Sequence, residues 1–243
     1  MALLEITGLS KRFPDGRREL IVLGDVNVEV YENDFVGLWG MSRSGKSTLL
    51  RIIAGVEPPD AGSVRLDGTE LTELSQDARV RLVRENMALA AFGWHSHRNR
   101  LVHEHIVLAA SADPRVTGKG ARAMARRALK RLDVLACAER RLDQLSFDEQ
   151  IRVELARAIV RSPRLLLIDD PPSLPSPSED GRLREAITSL GKEAGCAVIL
   201  ASSDLGVIER AERMMSIGSG ELRVMDEAGV VVPFPDRTGT DGP

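Results

Sequence analysis

Apolar residues recur at two spacings along the chain, and each change of spacing marks a change of element. Leu4 and Ile6 alternate with polar residues, the two-residue period of a half-buried strand, and Pro14-Asp15-Gly16 follows as a turn. Leu20–Leu23 and Val26–Val30 read as further strand, and Phe35–Leu38 is a short apolar run that ends in Trp39-Gly40. After Lys46 the period lengthens: STLLRIIAG places its apolar residues at helical spacing and stops at Gly55. Ser63–Leu66 predicts a strand with Asp67-Gly68 as its hairpin signal. Residues 115–141 are basic and alanine-rich and predict a helix with a solvated charged face. Ala156–Val160 continues a helix up to Ser162-Pro163. Leu165–Ile168, which runs into Asp169-Asp170, and Ala197–Ala201 have the length and composition of strands buried on both faces. A strand, a glycine loop, a helix and a later buried strand ending in aspartate make a nucleotide-binding α/β pattern.

Composition narrows this picture. A length of 243 residues suits one large domain or a core with an inserted subdomain. The net charge of −3 supplies no global positive field, and 3% aromatic residues supply few stacking platforms, so both argue against nucleic acid as a partner. Cys137 and Cys196 stand apart from any metal-spaced pair and read as reduced, buried thiols. No apolar run is long enough to span a bilayer, so a role at the membrane is expected to need a partner.

The chemistry centres on Gly40-Met41-Ser42-Arg43-Ser44-Gly45-Lys46-Ser47-Thr48, which fits G-x-x-x-x-G-K-[ST]. Glycines let the backbone wrap closely, so that successive N–H groups face phosphate oxygens. The helix that follows adds its positive N-terminal dipole. Lys46 is placed to reach the β- and γ-phosphates of ATP, and the Ser47 hydroxyl to ligate Mg²⁺. Asp169, at the end of a buried strand, is the expected partner of that Mg²⁺.

Three stretches carry a family resemblance: KSTLLRIIAGVEPPDAGSVRLDG, QLSFDEQIRVELARAIVRSPRLLLIDDPP and AVILASSDLGVIERAERMMSIGSGEL. In that order, residues 1–225 resemble an ABC-transporter nucleotide-binding subunit. LTELSQDARVRLVREN is most similar to the lipoprotein-export, macrolide-export and cell-division subfamily (LolD, MacB, FtsE). The resemblance implies a P-loop α/β fold with a mostly parallel core sheet, an N-terminal antiparallel β subdomain and an inserted helical subdomain at about 93–150. It implies a domain over 1–226 and a tail over 227–243 expected to be disordered. It also implies that Phe13 stacks on adenine, that the helical subdomain meets a transmembrane permease, and that two such domains dimerise head to tail around two ATP molecules. The protein is accordingly expected in the cytoplasm, peripheral on the inner face of the cell membrane.

Five positions depart from the family pattern. The signature, usually L-S-G-G-Q, reads Leu145-Ser146-Phe147-Asp148-Glu149, adding bulk and negative charge where a partner's phosphate docks. Like charges at that range cost on the order of one to several kcal/mol, unless Asp148 turns away to cap the following helix. The position of the general base holds Asp170, one methylene shorter than the usual glutamate; a base out of reach forfeits much of the ~10²–10⁴-fold that base catalysis supplies. The switch histidine is replaced by Ser203. The glutamine that senses Mg²⁺ is missing, with Gly93 nearest its place. The segment after Asp170 holds Ser176, between Pro175 and Pro177, near the usual aspartate.

Binding parts are retained while turnover parts are altered. The expectation is an ATP-binding subunit, as a homodimer or a heterodimer with another ABC ATPase, that docks on a permease and hydrolyses weakly or not at all. The alternatives are an active energy-coupling ATPase with Asp170 as base and a soluble ATP-dependent regulator. All four histidines, His95, His97, His103 and His105, fall in one short segment. Two H-x-H pairs on loop or strand would suit a transition metal. The competing reading is a contact surface for the permease, with Trp94 as an anchor.

Overall fold

The computed structural model describes residues 1–16, 18–92, 99–113, 115–172, 177–225 and 231–232. Strand β1 (Leu4–Asp15) turns back into β2 (Arg18–Val30). Next come β3 (Phe35–Trp39), helix α1 (Lys46–Ile53), β4 (Ala61–Leu66) and β5 (Thr69–Glu70). Helix α2 (Gln76–Asn86) leads into β6 (Met87–Ala91), and α3 (Val102–Ala110), α4 (Gly118–Arg131) and α5 (Phe147–Ile159) follow. The chain then runs through β7 (Leu165–Asp169), α6 (Pro177–Ala194), β8 (Ala197–Ser202), the short α7 (Leu205–Ile208), β9 (Arg213–Gly218), β10 (Glu221–Met225) and β11 (Val231–Val232).

Two sheets result. One is antiparallel, in the order β2-β1-β4-β5; the other runs β11-β10-β9-β3-β8-β7-β6. In the second, β9, β3, β8, β7 and β6 are parallel, and β10 and β11 close one edge antiparallel. The expected fold class is therefore the observed one. The two strands expected at Leu20–Leu23 and Val26–Val30 are one strand, bent at Asp25, whose φ is +54°. The segment expected to be a tail from residue 227 includes Val231–Val232, paired to Val224 and Met225, because β10 leaves an open edge of main-chain groups that a further strand can use. The rest of that tail lies outside the described residues.

Strand alternation places the core. Leu165 and Leu167 of β7, Ala197, Ile199 and Ala201 of β8, and Val36 and Leu38 of β3 face one side, where they meet α1 and the antiparallel sheet. Leu166 and Ile168, Val198 and Leu200, and Phe35 face the other side, where they meet the helices α3 to α7. Both faces are covered, which is why these strands read as unbroken apolar runs rather than as alternation. Among the described residues, no helix is long and apolar enough to cross a membrane.

One glycine in the central strand is there for packing. A Cβ on Gly37 would lie 2.9 Å from Ile208 Cβ and 3.0 Å from Ala211 Cβ, so α7 would have to lift from β3. Gly37→Ala is expected to destabilise the protein by about 1–3 kcal/mol. Urea unfolding would read this as a lower midpoint at an unchanged m-value.

Candidate functional site: a phosphate loop at the carboxyl edge of the parallel sheet

The register of three strands builds the site. Trp39 pairs with Ser202 across β3 and β8, and Asp169 pairs with Ala201 across β7 and β8. The loop after β3 and the carboxylates after β7 therefore meet at one edge, outside the carboxyl ends of the strands.

The loop is held at both ends. Gly40 N–H donates to Ser202 O at 3.3 Å, and Leu49 N–H donates to Gly45 O at 2.9 Å as α1 begins. Gly45 has φ +107°, and a Cβ there would lie 2.8 Å from Val22 O. Its conformation and the approach of β2 both demand glycine. A Cβ on Gly40 would collide with Ser44 Oγ and lie 2.6 Å from Ile217 O. Met41, Ser42, Arg43 and Ser47 are exposed, and Ser44 and Thr48 are half-buried.

Lys46 is only 5% exposed, although it carries a charge. Its ammonium donates to Gly40 O at 2.7 Å and Met41 O at 3.1 Å, folding across the loop it follows. Ser44 Oγ is buried with no hydrogen-bond partner. An orphaned buried hydroxyl is a costly feature, and a phosphate oxygen would satisfy it. Cradling glycines, that hydroxyl and the Lys46 ammonium fit a polyphosphate.

Ser47 Oγ donates to Asp169 Oδ1 at 2.9 Å, so the two groups expected at Mg²⁺ are adjacent. Burial pushes the Asp169 carboxyl above its ordinary range; the Ser47 hydrogen bond opposes this, the Asp170 charge adds to it, and Lys46 and Arg51 oppose it. A divalent cation would relieve that cost, so the donor set fits Mg²⁺.

Asp170 follows with φ +46°, a left-handed backbone. Its N–H donates to Ala201 O at 2.9 Å. Its Oδ1 accepts from Ser203 N–H at 3.1 Å and from Ser203 Oγ at 3.4 Å. Trp39 Nε1 in turn donates to Ser203 O at 3.2 Å. The base candidate and the switch position are thus tied together and to the end of β3. The sequence shows Trp39 only as the end of an apolar run, so this tie was not foreseen.

Phe13 lies half-buried on β1. Lys11 Nζ stands 5.5 Å from its ring centroid. The ring lines a surface cavity of about 720 Å³ with Arg12, Pro14, Arg18, Glu19 and Asp60, and none of residues 40–48 lines it. From this hairpin, Val22 and Leu23 come up against Gly45 of the loop.

The signature segment rules out the alternative in which Asp148 caps the following helix. Ser146, not Asp148, caps α5: its Oγ accepts from Glu149 N–H at 3.2 Å, and Glu149 Oε2 accepts from Ser146 N–H at 2.8 Å. Asp148 pairs with the buried Arg152 at 3.0 Å, because residues four apart on a helix share a face. Glu149 also accepts from Arg140 at 3.1 Å and from the Cys137 thiol at 3.3 Å. Both negative charges therefore have cationic partners within the chain, which reduces the penalty expected from them. Phe147 remains 49% exposed beside them.

The histidine expectation is also corrected where it can be seen. His103 and His105 lie in α3, not on loop or strand, and residues two apart on a helix face different directions. His105 is buried, and His103 Nδ1 lies 3.1 Å from Ala138 O. Among the described residues no group of three or more histidine, cysteine, aspartate or glutamate side chains could hold a metal ion. His95, His97, Gly93, Trp94, Pro175 and Ser176 lie outside the described residues.

A glycine-framed loop, a lysine across it and an aspartate on the next-but-one strand define the class: a P-loop nucleotide-binding α/β protein. Comparisons with known proteins place it more closely. A family profile described as ABC transporter matches residues 23–173. The lipoprotein-releasing system ATP-binding protein LolD 2 of Caulobacter vibrioides is 32% identical over 225 residues, covering 91% of this chain and 96% of that protein. The probable syringafactin export ATP-binding/permease protein SyfD of Pseudomonas syringae pv. syringae is 31% identical over 246 residues, covering 100% of this chain and 35% of that protein. The macrolide export ATP-binding/permease protein MacB of Burkholderia pseudomallei is 33% identical over 245 residues, 98% of this chain and 36% of that one. The chain thus spans about a third of the length of these export ATP-binding/permease relatives. The dimeric, post-hydrolysis structure of the ATP-binding cassette MJ0796 bound to ADP and Pi is similar at TM-score 0.83 and 25% identity, covering 92% of this chain and 98% of that one. The chain belongs to the ABC transporter family.

Two outcomes test the signature geometry. Arg152→Leu leaves Asp148 without its cation and is expected to cost about 3–5 kcal/mol, while Asp148→Leu with Arg152→Leu is expected to recover most of it. Chemical denaturation of the two variants reads the difference. Burial pushes the Glu149 carboxyl up, but the Ser146 N–H, the Cys137 thiol and Arg140 together hold it below its ordinary 4.5. A depressed carboxyl contributes stability above that ordinary value and loses it as the pH falls through the folded one. The unaltered protein is therefore expected to lose stability more steeply than Glu149→Gln on acidification below about pH 4.5, as thermal melts across pH would show.

Proposed function

We propose that this chain is the ATP-binding subunit of an ABC transporter complex, that it binds Mg-ATP on the 40–48 loop, and that its own hydrolysis is weak or absent. The observation that carries the first part is the loop itself: glycines that admit no side chain, an orphaned Ser44 hydroxyl, and Ser47 beside Asp169. Lys46 exchanges its hold on the Gly40 and Met41 carbonyls for phosphate oxygens. Thr48 and the loop N–H groups complete the cradle, and Ser47 with Asp169 hold Mg²⁺. When bound, Mg²⁺ supplies charge compensation between the phosphates.

Weak turnover rests on Asp170. Its side chain is short, its backbone is left-handed, and its Oδ1 is already engaged by Ser203. A general base must reach the attacking water within hydrogen-bond range. Ser203 donates to this carboxylate but carries no imidazole, so proton transfer at the switch position is lost with the histidine.

Docking on a separate permease is part of the same proposal, and it puts the chain on the inner face of the membrane. It is supported by relatives of two kinds, one of this chain's length and others whose names join ATP-binding to permease. A cavity of about 390 Å³ bounded by the turn after α1 (Ala54–Val56), by α2 and by the start of β6, with Val56 and Val80 exposed on its rim, offers a seat for a partner's helix. Dimerisation around nucleotide, with itself or another cassette, follows the dimeric cassette it resembles. The domain over 1–226, its helical part around α3 to α5, and adenine stacking by Phe13 belong to this proposal as well.

Lys46→Ala is expected to weaken ATP binding at least about tenfold, since it removes a charge-assisted contact; isothermal titration measures this. Asp170→Asn is expected to leave single-turnover hydrolysis essentially unchanged, whereas Asp170→Glu with Ser203→His is expected to raise it. Fast hydrolysis by the unaltered chain that Asp170→Asn abolishes would mean that Asp170 is a working base after all.

A further inference from the structure

Arg43 stands midway between Gly40 and Lys46, on the loop that frames the phosphates. Its φ is +65°, a conformation that glycine adopts freely and arginine only at a cost. The side chain is exposed, and among the described residues no hydrogen bond or ion pair engages it. The other described non-glycine residues with a positive φ are all short polar Asp, Asn or Ser, so Arg43 is the one long cationic side chain held in this conformation, and it is held on the loop whose N–H groups form the phosphate cradle.

Lys46 is turned inward on the Gly40 and Met41 carbonyls, so its charge sits beneath the loop. Arg43 is the other cation of the 40–48 segment, on its solvent side. Guanidinium presents a planar fork of donors that matches phosphate oxygens and stays charged at every relevant pH. We propose that Arg43 is a second phosphate-binding cation of this site, which grips the triphosphate from the solvent side and lets the chain hold ATP even when Mg²⁺ is scarce. This rests on the reading of the loop as an ATP site. It fits a subunit whose task is to retain nucleotide rather than to turn it over.

The ligand class follows from the charge. The contact should favour a triphosphate over a monophosphate and should give adenosine nothing. It should matter most without Mg²⁺, when the phosphate charge is uncompensated, and it should fade with salt because the side chain is exposed.

Isothermal titration of the full chain, Arg43→Gly and Arg43→Lys with ATP, in Mg²⁺ and in EDTA, and with AMP, tests this. Arg43→Gly is expected to weaken ATP about threefold with Mg²⁺ and about tenfold in EDTA, with AMP unchanged, in line with a charge-assisted contact at an exposed site. Arg43→Lys is expected to recover part of the loss. The melting temperature without nucleotide should not fall in Arg43→Gly, because glycine relieves the left-handed strain; this separates a ligand contact from a structural role. Equal ATP affinity in Arg43→Gly and the unaltered chain, or an equal loss for AMP and ATP, overturns the proposal. Normal affinity combined with lost ATP-driven dimerisation in Arg43→Gly also overturns it, because the arginine would then serve the partner surface. No ATP binding by the unaltered chain overturns the ATP-site reading as well, which the Arg43→Gly result alone does not.

Discussion

The site depends on the parallel register of β3, β8 and β7. That register puts Trp39, Ser202, Ala201 and Asp169 on one level, and everything chemical follows within a few residues of it. The Ser47–Asp169 hydrogen bond, the Gly40–Ser202 bond and the Ser203–Asp170 bonds all cross this edge. A shift of one residue in any of the three strands would exchange the side chains packed on its two faces and carry the loop and the carboxylates out of line, so the register sets the site. The apolar runs of these strands therefore act at a distance on phosphate chemistry.

Charge is managed differently at the two functional segments. At the loop, Lys46 and Asp169 are buried or half-buried, and each has a neutral partner, backbone carbonyl or hydroxyl. Such partners are easily exchanged for a phosphate or a cation. At the signature, Asp148 and Glu149 are bound to Arg152 and Arg140 in pairs that also fix the start of α5. The first segment is built to receive charge; the second has already spent its own on the fold.

The Ser203–Asp170–Trp39 connection joins the loop strand, the base candidate and the switch segment by direct hydrogen bonds. A carboxylate held by two donors from one residue has less freedom to follow a water. On the proposed reading, these contacts would hold Asp170 back from acting as a base, while the glycine loop beside it keeps what binding requires.

The sequence alone determined the family, the loop, its helix and the buried strand that carries Asp169, because those signals are local: fixed spacing, helical or strand period, glycine where the backbone must pass close. Through the family resemblance it also raised the expectation that five positions depart from the family pattern. It left open a capping role for Asp148 that the structure gives to Ser146, since Ser146 and Glu149 satisfy those N–H groups and a buried arginine one turn on claims the aspartate. It misplaced His103 and His105, since an H-x-H pair reads alike on strand and helix until packing chooses. Only the tertiary structure decided that Arg43 is left-handed and unengaged, that Ser44 is an orphan, and that Trp39 and Asp170 meet at Ser203. Those facts depend on strands far apart in sequence and adjacent in space, and no local pattern of side chains encodes which carbonyl or hydroxyl a neighbouring strand will offer.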